Sequence, residues 1–188
     1  MYKHITIIAL LFFALLSACA PKDNWVETKS SDSTISLMLP PDMHAIKGLN
    51  QYAIMQYGNL DNSISVMVIA DSIDLYNKLI DNYLIENPDS VQFAAAKGFD
   101  GYCSMVVSQL MAEALKFTVS ENRDTVINSM KVRALTYNAK YESDKSYIRL
   151  ALYEGKASYY QVFAMISASK SDEYDKVMKR IVESMKEQ

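Results

Sequence analysis

Glycine and proline are scarce in this chain, five and four among 188 residues, and histidine and cysteine are scarcer, two of each. The glycines, Gly48, Gly58, Gly98, Gly101 and Gly155, are scattered and build neither a phosphate-cradling loop nor a dinucleotide fingerprint; no G-x-S-x-G elbow is present either. So little Gly and Pro beside 50% hydrophobic residues excludes a disordered chain. A dominant charge is missing as well, since the formal net charge is only −3. That weak acidity argues against nucleic acid as a partner and against a polybasic membrane patch.

No apolar run is long enough to span a bilayer. Met1-Tyr2-Lys3-His4 leads into Ile5 to Leu16, interrupted only by Thr6; a spanning helix needs about 18 to 20 apolar residues. A short basic start followed by a short apolar core is the layout of a secretory signal. It ends in Leu16-Ser17-Ala18-Cys19, which resembles the lipobox of bacterial lipoprotein signals. The resemblance implies removal of residues 1–18 and acylation of the Cys19 thiol, so that the partner of this segment is the lipid bilayer and the address is the bacterial cell envelope. The competing reading is an ordinary signal peptide cut near Ala18 or Ala20. Residues 19–24 then form a tether, reaching at most about 20 Å before Trp25 at about 3.3–3.6 Å per residue. The 170 residues left after removal of 1–18 suit a single domain, 25–188, with a sizeable core. With Cys19 acylated, Cys103 has no intrachain partner for a disulfide.

Trp25 to Thr28 and Thr34 to Leu39 read as strands, the second stopped by Pro40-Pro41, and Gln51–Tyr57 with Ser63–Ile69 as a hairpin. Asp71 is placed to cap a helix with an apolar face of Ile73, Tyr76, Leu79, Ile80, Tyr83 and Leu84. A second helix is expected from Tyr102 to Phe117, with Gly98-Phe99-Asp100-Gly101 as the turn before it. Its wide stripe, in which Val107, Met111 and Leu115 flank Val106, Leu110 and Ala114, predicts deep burial. From Thr125 onward strands are expected at Met130–Glu142, Ser146–Tyr153 and Ala157–Ala168.

The last two strands are apolar on both faces, Ile148, Leu150, Leu152, Tyr160, Val162 and Ile166 forming one set and Tyr147, Tyr153, Tyr159, Phe163 and Met165 the other. Both faces must therefore be covered. Tyr174, Val177, Met178, Ile181, Val182 and Met185 recur at helical spacing behind Ser169 or Ser171 and supply one cover; the middle helices supply the other. The expected architecture is α+β, an antiparallel sheet with helices on both faces, an α/β/α sandwich.

This order of elements resembles the PsbP-like family, whose fold is shared by a nuclear Ran-GTPase-binding protein and many uncharacterised bacterial lipoproteins. The resemblance is carried by Thr34-Ile35-Ser36-Leu37-Met38-Leu39-Pro40, by Tyr159-Tyr160-Gln161-Val162-Phe163, and by Ile181-Val182-Glu183-Ser184-Met185. It implies no shared catalytic set and no cofactor, and members that mostly bind other proteins.

Beyond the export signal only His44 remains among histidines, and a zinc site needs three or four ligands, commonly His or Cys. His44 therefore reads as a loop residue, and no metal site or catalytic residue is assigned. Cys103 is expected to be a small buried hydrophobe; the rival is a thiol nucleophile paired with His44, which requires the two to meet. The acidic groups Asp71 with Asp74, and Asp172 with Glu173 and Asp175, read as helix-start residues rather than calcium ligands. Thirteen tyrosines raise the alternative of a Tyr-lined ligand cleft. The leading expectation is a lipid-anchored, non-enzymatic module binding or scaffolding an envelope protein, with an exposed apolar patch and no deep polar pocket.

Overall fold

The structure is a computed structural model that describes residues 24–61, 63–142 and 144–188; the expected signal (residues 1–18) and the expected acylation residue Cys19 lie outside the described residues. In chain order the elements are β1 (Val26–Lys29), β2 (Ile35–Leu39), β3 (His44–Ala45), β4 (Ala53–Asn59) and β5 (Ile64–Ser72), then α1 (Ile73–Glu86), α2 (Val91–Ala94) and α3 (Gly98–Glu113). There follow β6 (Lys116–Ile127), β7 (Met130–Tyr141), β8 (Asp144–Glu154), β9 (Ser158–Ser167), a 3-10 turn at Ala168–Lys170, α4 (Ser171–Val182) and β10 (Lys186–Glu187).

Seven strands form one antiparallel sheet in the order β3-β4-β5-β9-β8-β7-β6, and β1-β2-β10 form a second, small one. Both faces of the large sheet are covered, as the two-sided apolar pattern of β8 and β9 requires. On one face α1 and α3 bury Phe99, Tyr102, Cys103 and Val106 against Leu135, Tyr137, Ile148, Leu150 and Phe163. On the other, α4 and the small sheet bury Met178, Ile181 and Val182 with Ile35, Leu37 and Leu39 against Val66, Val162 and Ile166. The expected sandwich is present, with a small β layer sharing one cover with the last helix.

The register of the β8–β9 hairpin changes which residues share a face. Leu150 lies opposite Phe163, Ile148 opposite Met165 and Tyr153 opposite Tyr160. Alternation within each strand is as expected, but Ile148, Leu150 and Leu152 join Tyr159 and Phe163 on the α1–α3 face, not Tyr160 and Val162. The turn at Gly155-Lys156 sets the parity between the strands, and alternation inside one strand carries no information about it.

Three boundaries depart from expectation. Asp71 does not cap α1: the Ser72 hydroxyl accepts from the Leu75 N–H at 3.3 Å, while Asp71 takes the Tyr102 hydroxyl at 2.5 Å and the Gln161 amide at 3.0 Å. Gly98 to Gly101 is the first turn of α3 rather than a turn before it. Gly98 enters with φ +73°, and Gly101 lies against Ala96, whose carbonyl carbon a Cβ would approach to 2.1 Å. Phe117 belongs to β6, an edge strand whose mixed polar sequence hides its alternation. Asn128 and Ser129 close the β6–β7 hairpin, both with positive φ, as a two-residue turn with the right twist demands.

A charged network fixes α4 to the sheet. Arg149 of β8 grips Asp175 through Nε at 2.6 Å and Nη2 at 2.9 Å and reaches Glu121 of β6 at 3.2 Å. Tyr147 also donates to Asp175, and Arg123 bridges Glu121 at 2.6 Å and Glu183 at 2.8 Å. The residue that precedes α4 is Lys170, whose side chain makes no cap bond to it; these ion pairs tie the helix to the sheet.

Candidate functional site

Cys103 and His44 are not brought together. Cys103 has no exposed surface, and burial pushes its thiol up to about 12, with Arg133, Asp100, Asp124 and Lys131 the nearby charges that act on it. His44 is exposed on β3, at one edge of the large sheet, with four strands between it and β7, which carries Arg133. At about 4.8 Å per strand step that is about 24 Å. A thiol held protonated and a base on the far edge cannot form a nucleophile pair.

Most of the tyrosines pack inward, with Tyr52 the main exception at 72% exposure. Tyr102 stacks on Tyr159 with ring centroids 4.5 Å apart, and Tyr76 meets both edge-on at 5.2 and 5.8 Å. Burial raises Tyr76 to about 12, and raises Tyr102 and Tyr137 further. Of five surface clefts on the described residues, one contains a tyrosine, Tyr174, beside Trp25 in a space of about 190 Å³. Tyr76, Tyr102, Tyr137 and Tyr159 thus build core between α1, α3 and the sheet, Tyr153 and Tyr160 build it on the α4 side, and none of these five clefts is lined by more than one tyrosine. Among the described residues no group of three or more His, Cys, Asp and Glu is placed to hold a metal ion. Nor is any helix among them long and apolar enough to cross a membrane.

The outer side of the α1–α3 layer is the unusual surface. From Gly101 to Ala112, α3 carries no charged residue, although its outward positions face solvent. Met105 is 42% exposed and Met111 53%. On α1, Leu75 and Leu79 are 69% and 68% exposed, and their i, i+4 spacing puts them on one line with Tyr83. The Tyr83 ring touches Phe93 at 4.3 Å, and Tyr76 donates to the Ala96 carbonyl at 2.7 Å, which ties α1 to the segment before α3. Between that segment and α3 lies a groove of about 280 Å³ lined by Phe93, Ala96, Gly101, Ser104, Met105 and Ser108.

The wide apolar stripe of α3 therefore does not mean deep burial. Met111 and Leu115 stand outward, Leu115 at 72% exposure; Phe99, Tyr102, Cys103 and Val106 are buried, and Val107, Leu110 and Ala114 pack only partly buried against the same core. Leu79, expected on the buried face of α1, is likewise exposed; Ile80 beside it is the buried position. Leucines outside the core stripe and an uncharged surface helix were the signals available in the sequence.

Charge is distributed to match. Residues 73–113 hold six acidic and two basic residues, whereas the other described segments balance at fifteen of each. Asp81 pairs with Lys97, and Asp100 with Lys131 and Arg133. Among the described residues no cation pairs with Asp74, Glu86 or Asp89, all exposed. The segment that carries the uncharged outer positions of α3 thus also carries most of the excess negative charge.

An antiparallel sheet covered on both faces, with the last helix and a small sheet sharing one cover, defines the class of fold. More narrowly, the fold is PsbP-like. The structure is similar to cyanobacterial PsbP (CyanoP) from Synechocystis sp., with TM-score 0.56 over 93% of this chain and 99% of that one, at 8% identity. It is also similar to a protein from Bacteroides thetaiotaomicron, with TM-score 0.50 at 11% identity, covering 88% of this chain and 49% of that one. A third likeness is to LpqN of Mycobacterium tuberculosis, described as involved in cell envelope biogenesis, with TM-score 0.49 at 10% identity over 86% of this chain and 88% of that one. No family model and no curated protein matches the sequence. At such identities the likeness defines fold and leaves activity open.

Proposed function

We propose that this chain is an envelope lipoprotein, acylated at Cys19, whose PsbP-like domain is a non-enzymatic docking module for a basic amphipathic segment of another protein. The observation that carries the docking role is the exposed, uncharged outer face of α3 beside Leu75 and Leu79. Large exposed apolar side chains in such number on one layer of a monomer point to an interaction surface. The lipid role rests on Leu16-Ser17-Ala18-Cys19 behind a short apolar run. Two or three acyl chains on one cysteine hold a protein stably at a bilayer. The tether meets the domain at Trp25, which packs into the α4 side of the sheet with the Arg180 guanidinium 4.0 Å from its ring. The docking face lies on the opposite side and is left open to a partner.

Both parts are tested in one strain background. Radiolabelled fatty acid should incorporate into the wild type and not into Cys19→Ser; label failing to incorporate into the wild type removes the anchor. Affinity capture from detergent-solubilised membranes should recover a partner with a basic amphipathic segment. Leu75→Asp with Leu79→Asp should lose it at least tenfold, with thermal stability unchanged because both side chains are solvent-facing. Equal recovery by the double variant excludes this face.

A further inference from the structure

Strands β6, β7 and β8 place three lysines side by side: Lys116 lies directly opposite Lys140, and Lys140 directly opposite Lys145. Opposed side chains on an antiparallel pair have Cβ atoms about 4.5–5.5 Å apart, and like charges there destabilise the sheet. Elsewhere the same three strands neutralise their charges in register. Asp124 lies opposite Arg133 and bonds it at 2.8 Å; Glu121, Thr136 and Arg149 form a satisfied row. Among the described residues no carboxylate pairs with Lys116, Lys140 or Lys145.

The lysine row forms the floor of a cleft of about 280 Å³, with Thr118, Asn138 and Ala168 completing its lining. Lys145 and Ala168 also line a second cleft, of about 570 Å³, together with Ser63, Ser65, Ser146, Ser167 and Ser169; Asp144 is the single carboxylate lining either. Three ammonium groups beside threonine, asparagine and serine side chains make a donor-rich surface with little negative charge, the set that phosphate oxygens satisfy. Lys140 and Lys145 flank one hairpin turn with Glu142 and Asp144 between them, and Lys116 joins them only through the β6–β7 register, so net charge and local runs conceal the cluster.

We infer that this row binds the phosphate group of an anionic ligand, whose charge offsets the repulsion along the row. The ligand is a phospholipid headgroup or a soluble phosphate ester; the chemistry at the lysines is the same. A headgroup is within reach because the row faces the α4 side: Thr136, two pairs along β7 from Lys140, shares Glu121 with Arg149, which holds Asp175 of α4. Trp25, where the chain enters the domain, packs on that same face. The anion site itself depends neither on the lipid at Cys19 nor on partner docking.

The test is thermal unfolding of the full chain, purified from membranes in nonionic detergent. One arm compares potassium phosphate with potassium chloride at matched ionic strength. The other compares micelles doped with phosphatidylglycerol or with phosphatidylcholine. Binding should raise the wild-type Tm by about 2–4 °C in at least one anionic arm over its control. A gain in inorganic phosphate identifies a soluble phosphate ligand, and a gain confined to phosphatidylglycerol identifies a headgroup. Lys140→Glu converts the row to alternating charge, so it should raise the Tm in chloride and abolish the ligand-induced gain; Lys145→Gln should halve that gain. No wild-type gain in either arm overturns the inference, as does a full gain retained by both variants.

Discussion

Cys103 sits among Phe99, Tyr102 and Val106 under α3, with no exposed surface. Desolvation dominates its titration and pushes the thiol up to about 12, although Arg133 pulls the other way. Two independent barriers, no access and no thiolate, therefore protect it from reagents. Ellman's reagent at pH 8 should leave the folded protein untouched and react fully in denaturant; prompt reaction under native conditions would show that α3 opens readily. The residue's burial followed from its neighbours, since a lone cysteine beside Tyr102 and near Met105 reads as a small hydrophobe. What those neighbours did not reveal was the start of α3 three residues before Gly101. That start depends on the backbone of Ala96 crossing where a Cβ at 101 would be, a contact made by folding and absent from local pattern.

At the level of elements, α4 is held both by its apolar stripe and by Arg149. The hydrogen bonds from Arg149 hold the Asp175 carboxyl below the ordinary carboxylate range, with Tyr147 adding to the effect, and Glu121 is lowered chiefly by Arg123. Carboxyls lowered on folding contribute stability that is present above their unfolded value near pH 4 and is lost as pH falls through the folded value. Acid unfolding should therefore steepen below about pH 4. Arg149→Ala should flatten that limb and cost about 1–3 kcal/mol at pH 7, because the pair is only partly exposed and Asp175 loses its cation, whereas Glu121 keeps Arg123. Urea unfolding at pH 7 and pH 3 measures both; an unchanged pH dependence in the variant would remove Arg149 from the account. The helices and the central strands were legible because one stripe or one alternating set of each is apolar. β6 was hidden because an edge strand with solvent on much of its surface has no need of apolar alternation, and Ser120 bulges its register between Val119 and Glu121.

For the molecule as a whole, the last residues join the two sheets. β10 pairs with β2, the Lys156 N–H donates to Glu187 at 3.0 Å, and the Gln188 N–H donates to the Thr34 carbonyl at 2.9 Å. A chain ended after Met185 loses these bonds together, at about 1 kcal/mol net for each, or about 2–3 kcal/mol in all. Calorimetry should place its Tm about 5–10 °C lower; a Tm within about 2 °C of the wild type would show that the small sheet stands without β10. The sequence by itself determined the fold class, because apolar positions on both faces of β8 and β9 and one wide stripe per helix leave a doubly covered sheet as the way to bury them. It also narrowed the chemistry on offer, since His44 is the one histidine outside residues 1–18 and a His-rich metal site would need more. Only the tertiary structure decided that Leu75, Leu79, Met105 and Met111 face outward and that Lys116, Lys140 and Lys145 stand in one row. Helix rotation and strand register are set by packing between elements distant in the chain, and periodicity within an element is unchanged whichever way that packing falls.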